Sequence, residues 1–355
     1  MIFRDLLVVE TAGVLAGPSV GMFFAELGAQ VIKLENARSG GDITRKWKLP
    51  EEDPASPVSA YFSSVNLHKQ HRFADLTDPD DRLAFDELIR SADVLITNHL
   101  AADAEKLGLE RTRIARLNSR IVHGHIRGFA DDDARTAYDV VLQAETGYMS
   151  MTGHADRPAK LPVALIDVLA AHQLKEGILL ALYRRTATGT GAYVEVALDE
   201  AALTGLVNQA SNHLMAGHVP APLGTLHPNI APYGELFRCA DGGSIVLAVG
   251  SDAQFVALCT VLGSPALPTD PRFVGNRHRV THRRALAELL APAFGARRRE
   301  DVLRELIAAG VPAGAVRPMN EVLATPAAQR MVRGESIDGV RTLRLSGNAF
   351  RIEPY

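Results

Sequence analysis

The order of apolar runs constrains this chain most. DLLVVET reads as a buried strand, TAGVLAGP as a Gly-rich turn, SVGMFFAELG as a helix ending in glycine, and QVIKLE as a second strand. Strand, helix and strand in that order make a βαβ unit. The alternation continues through HRFADL (strand), DDRLAFDELIRS (helix), ADVLITN (strand), AEKLGLERTRIARLN (helix) and RIVHGHIRGF (strand). Such a series predicts an α/β fold, a Rossmann-like, doubly wound parallel sheet covered by helices.

AYVEVAL and a helix from Asp199 to about Met215 follow, and the Pro- and Gly-rich GHVPAPLGTLHPN then marks a boundary. YGELFRCADGGSIVLAV predicts a hairpin turning at Asp241-Gly242-Gly243, with two or three helices after it through about Gly310. Strand-like pieces in VPAGAVRP and the final residues can return to the first domain. The chain therefore reads as a large α/β domain over residues 1–216, a smaller α+β domain over 217–312 that interrupts it, and a return over 313–355.

With 355 residues, 47% of them hydrophobic and 22% charged, the chain can bury a large core. A net charge of −3 with dispersed basic residues gives no footprint for nucleic acid. No run approaches the ~18 apolar residues of a membrane span. Arg4, Asp5 and Glu10 interrupt the apolar N-terminus, and Cys239 and Cys259 form no CxxC pair, so a reduced, cytoplasmic protein is expected.

The first turn sits where a dinucleotide fingerprint would, but G-x-G-x-x-G is missing. Glu35, at the end of the second strand, is placed either to hold a ribose or to be an ordinary exposed glutamate. Arg38, Arg45, Lys69, Lys106 and Arg135 recur at strand ends or in the loops beside them, where an open α/β sheet binds ligands; they can converge on phosphates or stand as solvated charges. Asn98, the last residue of ADVLITN, reads as a cap or turn residue just after the strand. His123 and His125 share one strand face, yet no third ligand or H-E-x-x-H supports a metal, and packed histidines are the favoured reading. There is no G-x-S-x-G elbow. Asp167 stands alone between Ile166 and Val168 at the head of a long helical pattern, where an N-cap is the favoured local reading; it is also the best candidate for a carboxylate nucleophile.

Many motifs fall in one order along the chain. VVETAGVLAGPSVGMFFAELGAQVIKLE, GGDITRKW, NLHKQ, ADVLITN, YDVVLQAETGYMSMTG, the Asp167 segment, HPNIAPYGELFRCADG, DPRFVGNRHRV and AAGVPAGAV resemble the family III CoA-transferases, which include formyl-CoA and carnitine CoA-transferases. The resemblance implies that Asp167 is a nucleophile passing through aspartyl anhydride and aspartyl-CoA thioester intermediates. Coenzyme A, as acyl-CoA, is then the substrate, with a carboxylic acid as acceptor and no need for metal or NAD. It implies CoA contacts at Val14, Leu15, Ala16, Lys69, Asn98, His99, Lys106 and Tyr138, and at Arg38 and Arg135 in neighbouring loops. Departures are Leu15 for a glutamine, His99-Leu100 for a Phe-Arg pair, Lys69-Gln70-His71 for Lys-Arg-Ser, and only Gly242-Gly243 for a four-glycine loop. The resemblance further implies an interlocked, ring-like homodimer. Two alternatives share the fold. One is a 2-methylacyl-CoA racemase, whose relatives carry a His-Asp pair where this chain reads Arg135 to Asp139. The other is a non-catalytic CoA-binding protein.

Overall fold

The computed structural model describes residues 2–132, 134–353 and 355. Its main sheet is built from β1 (Leu7–Glu10), β2 (Gln30–Asn36), β3 (Lys69–Ala74), β4 (Val94–Thr97) and β5 (Val122–Arg127). After the two-residue strands β6 (Gly153–His154) and β7 (Arg157–Pro158), β8 (Ala192–Ala197) adds its sixth strand. The order is β3-β2-β1-β4-β5-β8, and every pair is parallel, with Val8 opposite both Val31 and Val94. The winding reverses between β1 and β4. In open sheets of this kind, ligands bind outside the carboxyl ends of the strands at that reversal.

Alternation with period two sends strand side chains to two cores. Val8, Val31, Val94, Ile96, Val122 and Ile126 pack under the helices Ala16–Glu26 and Leu165–Thr188. Val9, Ile32, Leu34 and Leu95 pack on the other face against Phe85 and Ile89 of the helix Pro79–Ser91, and against Ile114. The pattern AEKLGLERTRIARLN is two helices, Ala101–Leu107 and Arg111–Leu117, because Gly108 takes a left-handed φ of 67° and stops the first.

The helix Leu165–Thr188 places the residue that matters most. Ile166, Ala170, Leu174 and Ile178, four residues apart, are fully buried. Burial of each large side chain contributes ~1.5–3 kcal/mol, so the stripe fixes the helix's rotation. Asp167 flanks that stripe and is carried inward with it.

Chain contacts divide the molecule into two compact units. One holds residues up to Met149, Lys160–Pro220 and Ala327–Tyr355; the other holds Ser150–Ala159 and Ala221–Pro326. In the second, β9 (Tyr233–Arg238), β10 (Ser244–Ala248) and β11 (Ala313–Val316) form an antiparallel sheet in the order β11-β10-β9. The turn at Asp241-Gly242-Gly243 lies between β9 and β10, and Phe237, Ile245, Leu247, Phe255, Leu258 and Phe294 form the core. The segment expected to begin the return at 313 instead supplies β11, which pairs with β10 from Leu247↔Ala313 to Ser244↔Val316. The first unit resumes at Ala327, with the hairpin β12 (Val332–Ile337) and β13 (Val340–Leu345). Arg344 of β13 is anchored on Glu26, and Arg45 reaches Asp338 at 2.8 Å. Among the described residues no helix is long and apolar enough to cross a membrane.

Candidate active site

Loops after β1, β4 and β5 meet the head of the helix Leu165–Thr188 around a cleft of about 140 Å³. Val14, Leu15, Ala16, Asn98, Arg135, Tyr138 and Asp167 line it together. Asp167 is the third residue of the helix, so it is not the N-cap that its position in the sequence also allowed; Ala164 occupies that place without a side-chain hydrogen bond. The exposed helix end is served from elsewhere. Asp139, first residue of the helix Asp139–Glu145, accepts the Ile166 N–H at 2.7 Å. Asp139 also accepts from the Gln143 amide, and that amide's oxygen takes the Leu161 N–H at 2.8 Å. Two side chains thus pin the segment that leads into Asp167.

Asp167 itself is only 8% exposed. Burial pushes its carboxyl up to about 7, and the nearby Asp139 adds to the rise. Among the described residues no donor hydrogen-bonds its oxygens to bring the value back. Tyr61 feels the same acids: burial, then Asp167, Asp139 and Asp42, push its phenol up to about 12, so it stays a neutral donor.

The cleft's first wall is a clamped turn. Gly13 donates its N–H to the Asn98 amide oxygen at 3.0 Å, and the Asn98 amide nitrogen donates back to the Gly13 carbonyl at 2.9 Å. Val14 has a left-handed φ of 71° and donates its N–H to Asp42 at 3.1 Å. Arg135 lies over the Phe129 ring at 4.1 Å and pairs with Glu145, one of its bonds measuring 2.9 Å. Tyr138 is about half exposed.

Arg38, His99 and Lys106 gather elsewhere, around a cavity of about 270 Å³ at the ends of β1 to β3. His99 sits 3.1 Å from the Thr11 hydroxyl, its pKa lowered by burial. Arg38 reaches Asp75 at 3.5 Å from an exposed position. Lys69 belongs to neither group. Its ammonium is fully enclosed, with Glu10 at 2.8 and 2.9 Å, the Pro18 carbonyl at 2.8 Å and Asn66 at 3.0 Å, so all three of its hydrogens are taken and none remains for a phosphate. Burial lowers it to about 8. Glu35 is neither exposed nor open to a ribose. Arg45 grips both of its oxygens at 2.6 Å, His71 and the Asp42 N–H add two more bonds, and together they hold it well below the usual carboxylate range despite its burial.

His123 and His125 both hydrogen-bond the Thr97 hydroxyl, at 3.0 and 2.8 Å, as packed histidines do. Among the described residues no group of three His, Cys, Asp or Glu side chains could hold a metal.

Several residues of the network beneath the cleft escape a motif reading: Glu10, Lys33 and Asp42, with Asp139 and Gln143 behind the helix head. Lys33 bonds Glu10 at 3.0 Å, the Ala12 carbonyl at 2.7 Å and Asp42 at 3.2 Å. Burial works against its charge, but Glu10 and Asp42 outweigh that and hold it above its ordinary value. The signal was present as single charges inside apolar strands, VVE and QVIKLE, since a charge in a buried run demands an opposite partner. Gly21 makes room for the pair; a Cβ there would lie 1.8 Å from Glu10 Oε2.

Comparison with known proteins decides the family. The model of CoA-transferase family III matches residues 3–351. The chain belongs to CoA-transferase family III. It is 35% identical to the succinate–glutarate CoA-transferase of Agrobacterium fabrum, over 94% of this chain and 87% of that one. It is 34% identical to the acetyl-CoA:oxalate CoA-transferase of Acetobacter aceti, over 99% and 90%. Among solved structures, a CaiB/BaiF family protein from Brucella suis superposes with a TM-score of 0.85 at 35% identity, covering 98% of this chain and 92% of that one. As a family III enzyme it transfers CoA between acids.

Proposed function

We propose that the enzyme moves CoA from an acyl-CoA donor to a free dicarboxylic acid, with Asp167 as covalent nucleophile. One observation carries the reading. A buried carboxylate with no hydrogen-bond donor lies on a cleft beside a cavity that holds Arg38 and Lys106, and such a group is costly to keep unless it reacts. The dicarboxylate follows the named acids of the relatives, succinate, glutarate and oxalate. Arg127 and Arg135 line the cleft, but they are paired with Glu195 and Glu145, so a second substrate carboxylate would have to compete with these partners.

The steps balance without an outside energy source. An Asp167 oxygen attacks the donor's thioester carbonyl, the C–S bond breaks, and CoA leaves as thiolate from a mixed anhydride. The thiolate then attacks the aspartyl carbonyl, the anhydride C–O bond breaks, and the donor acid departs as carboxylate. An acceptor carboxylate attacks the resulting aspartyl-CoA thioester and expels the thiolate. Attack of that thiolate on the acceptor's carbonyl gives the new acyl-CoA and frees Asp167. Each step passes through an oxyanion, for which N–H groups of the turn at Leu15 and Ala16 are suited. Arg38 and Lys106 would take the phosphates, with His99 beside them, while Val14, Asn98 and Tyr138 flank the pantetheine path. The large domain with its inserted smaller one would act as an interlocked homodimer.

Among the described residues no histidine lines the Asp167 cleft, which weighs against a His/Asp racemase. Incubation with a panel of acyl-CoA donors and mono- and dicarboxylates, read by mass spectrometry of the CoA products, tests the proposal. Transfer among dicarboxylates supports it. Deuterium uptake at the α-carbon of a 2-methylacyl-CoA, with no transfer, would replace it with isomerisation. CoA affinity without turnover across the panel would reduce the chain to a binding protein.

A further inference from the structure

We propose that Asp42 is a positioning residue for the transfer reaction, holding the turn at Gly13–Ala16 in its working shape through the left-handed Val14. The inference rests on Asp167 being the attacking group.

A β-branched residue at φ 71° is a rare conformation that L side chains leave when nothing restrains them. Here the restraint is explicit. The Val14 N–H is held by Asp42 Oδ2 at 3.1 Å, with Oδ1 at 3.4 Å. Asp42 is itself immobilised: its Oδ1 accepts the Thr44 N–H at 3.0 Å and the Thr44 hydroxyl at 2.8 Å, and its Oδ2 faces the Lys33 ammonium at 3.2 Å. Lys33 also holds the Ala12 carbonyl at 2.7 Å, one residue before the turn, so a single buried cation ties the entry of the turn to the carboxylate gripping its middle. Glycine at position 14 would reach this φ without strain, yet the chain carries valine there. The strained turn lines the same cleft as Asp167, and the N–H groups of Leu15 and Ala16 follow directly from it. Relaxation of Val14 would swing those N–H groups away from the acyl oxygen while leaving the fold around the sheet intact.

Asp42→Asn separates this role from bulk structure. Thr44 donates twice to Oδ1, so the amide oxygen must stay there and the amide N–H₂ takes the Oδ2 place, facing the Val14 N–H and Lys33 with donors only. Val14 then loses its 3.1 Å acceptor and keeps only the long 3.4 Å contact to the amide oxygen. The expected result is a fall in kcat on the order of 10²-fold with KM changed by less than about three-fold, since misplacement by about 1 Å is enough for that loss. Adding Val14→Gly, which removes the strain, should recover at least about ten-fold of it. Normal kcat in Asp42→Asn, or an equal loss whether residue 14 is valine or glycine, would overturn the proposal. Should Asp42→Asn alone not fold, the double variant compared with Val14→Gly decides: a loss below about ten-fold supports the role and a loss near 10²-fold refutes it. Hydroxylamine trapping at Asp167 in the wild type, run alongside, separates the two ideas. No adduct there removes the nucleophile reading and this role with it; an adduct forming equally fast in Asp42→Asn removes this role alone.

Discussion

Replacing Asp167 by asparagine should make the protein more stable at alkaline pH while abolishing transfer. The carboxyl rises from an unfolded-state value of 3.8 to about 7 in the folded protein. Between those values the folded state keeps a proton that the unfolded state has lost, so stability falls as pH rises through this window. At about 1.36 kcal/mol per pH unit, the wild type forfeits up to about 4 kcal/mol above pH 7. Asparagine is always neutral and escapes that penalty. Urea or thermal unfolding of both proteins at a series of pH values should show Asp167→Asn ahead by about 2–4 kcal/mol near pH 8, with the gap closing towards pH 4, where the wild-type carboxyl is also neutral. A variant less stable by about 0.5–2 kcal/mol at every pH would instead describe a capping carboxylate and refute the reasoning.

The same shift sets the pH–rate profile. On the proposed mechanism Asp167 attacks as the carboxylate, so kcat/KM should rise through an apparent pKa near 7; Asp139→Asn should move that limb to lower pH, because Asp139 is the second cause of the rise, and an unmoved limb would count against their coupling. Lys69→Met should cost about 1–3 kcal/mol of stability, because Glu10 loses its Lys69 bonds but keeps Lys33 at 3.0 Å, and should leave the Kd for CoA in the folded protein unchanged by calorimetry. Lys106→Ala and Arg38→Ala should each weaken CoA binding about ten-fold and flatten its salt dependence. Full affinity in both would move the phosphates to another surface.

The parallel sheet was legible because each strand is a short apolar run and each crossover a helical one, from DLLVVET through RIVHGHIRGF. Asp167 was legible as a charge out of place, but whether it capped its helix or stood on a cleft depends on the rotation fixed by Ile166, Leu174 and Ile178, a tertiary matter. Lys69 misled for the same reason. A basic residue at a strand edge looks the same in sequence whether it faces phosphate or, as here, is consumed by Glu10. The Glu10–Lys33–Asp42 network joins residues from two strands and a loop, and their pairing exists only once β1 and β2 lie side by side. The place of Ala313–Val316 was hidden because a four-residue strand fits either sheet until its partner is known.

Mass spectrometry of the Asp167 peptide after mixing enzyme with acyl-CoA and hydroxylamine addresses the central claim most directly. An activated aspartyl carbonyl should be captured as a hydroxamate at Asp167, only when acyl-CoA is present and not in Asp167→Asn. Turnover of acyl-CoA with Asp167 unmodified, or a hydroxamate at a different carboxylate, would contradict it.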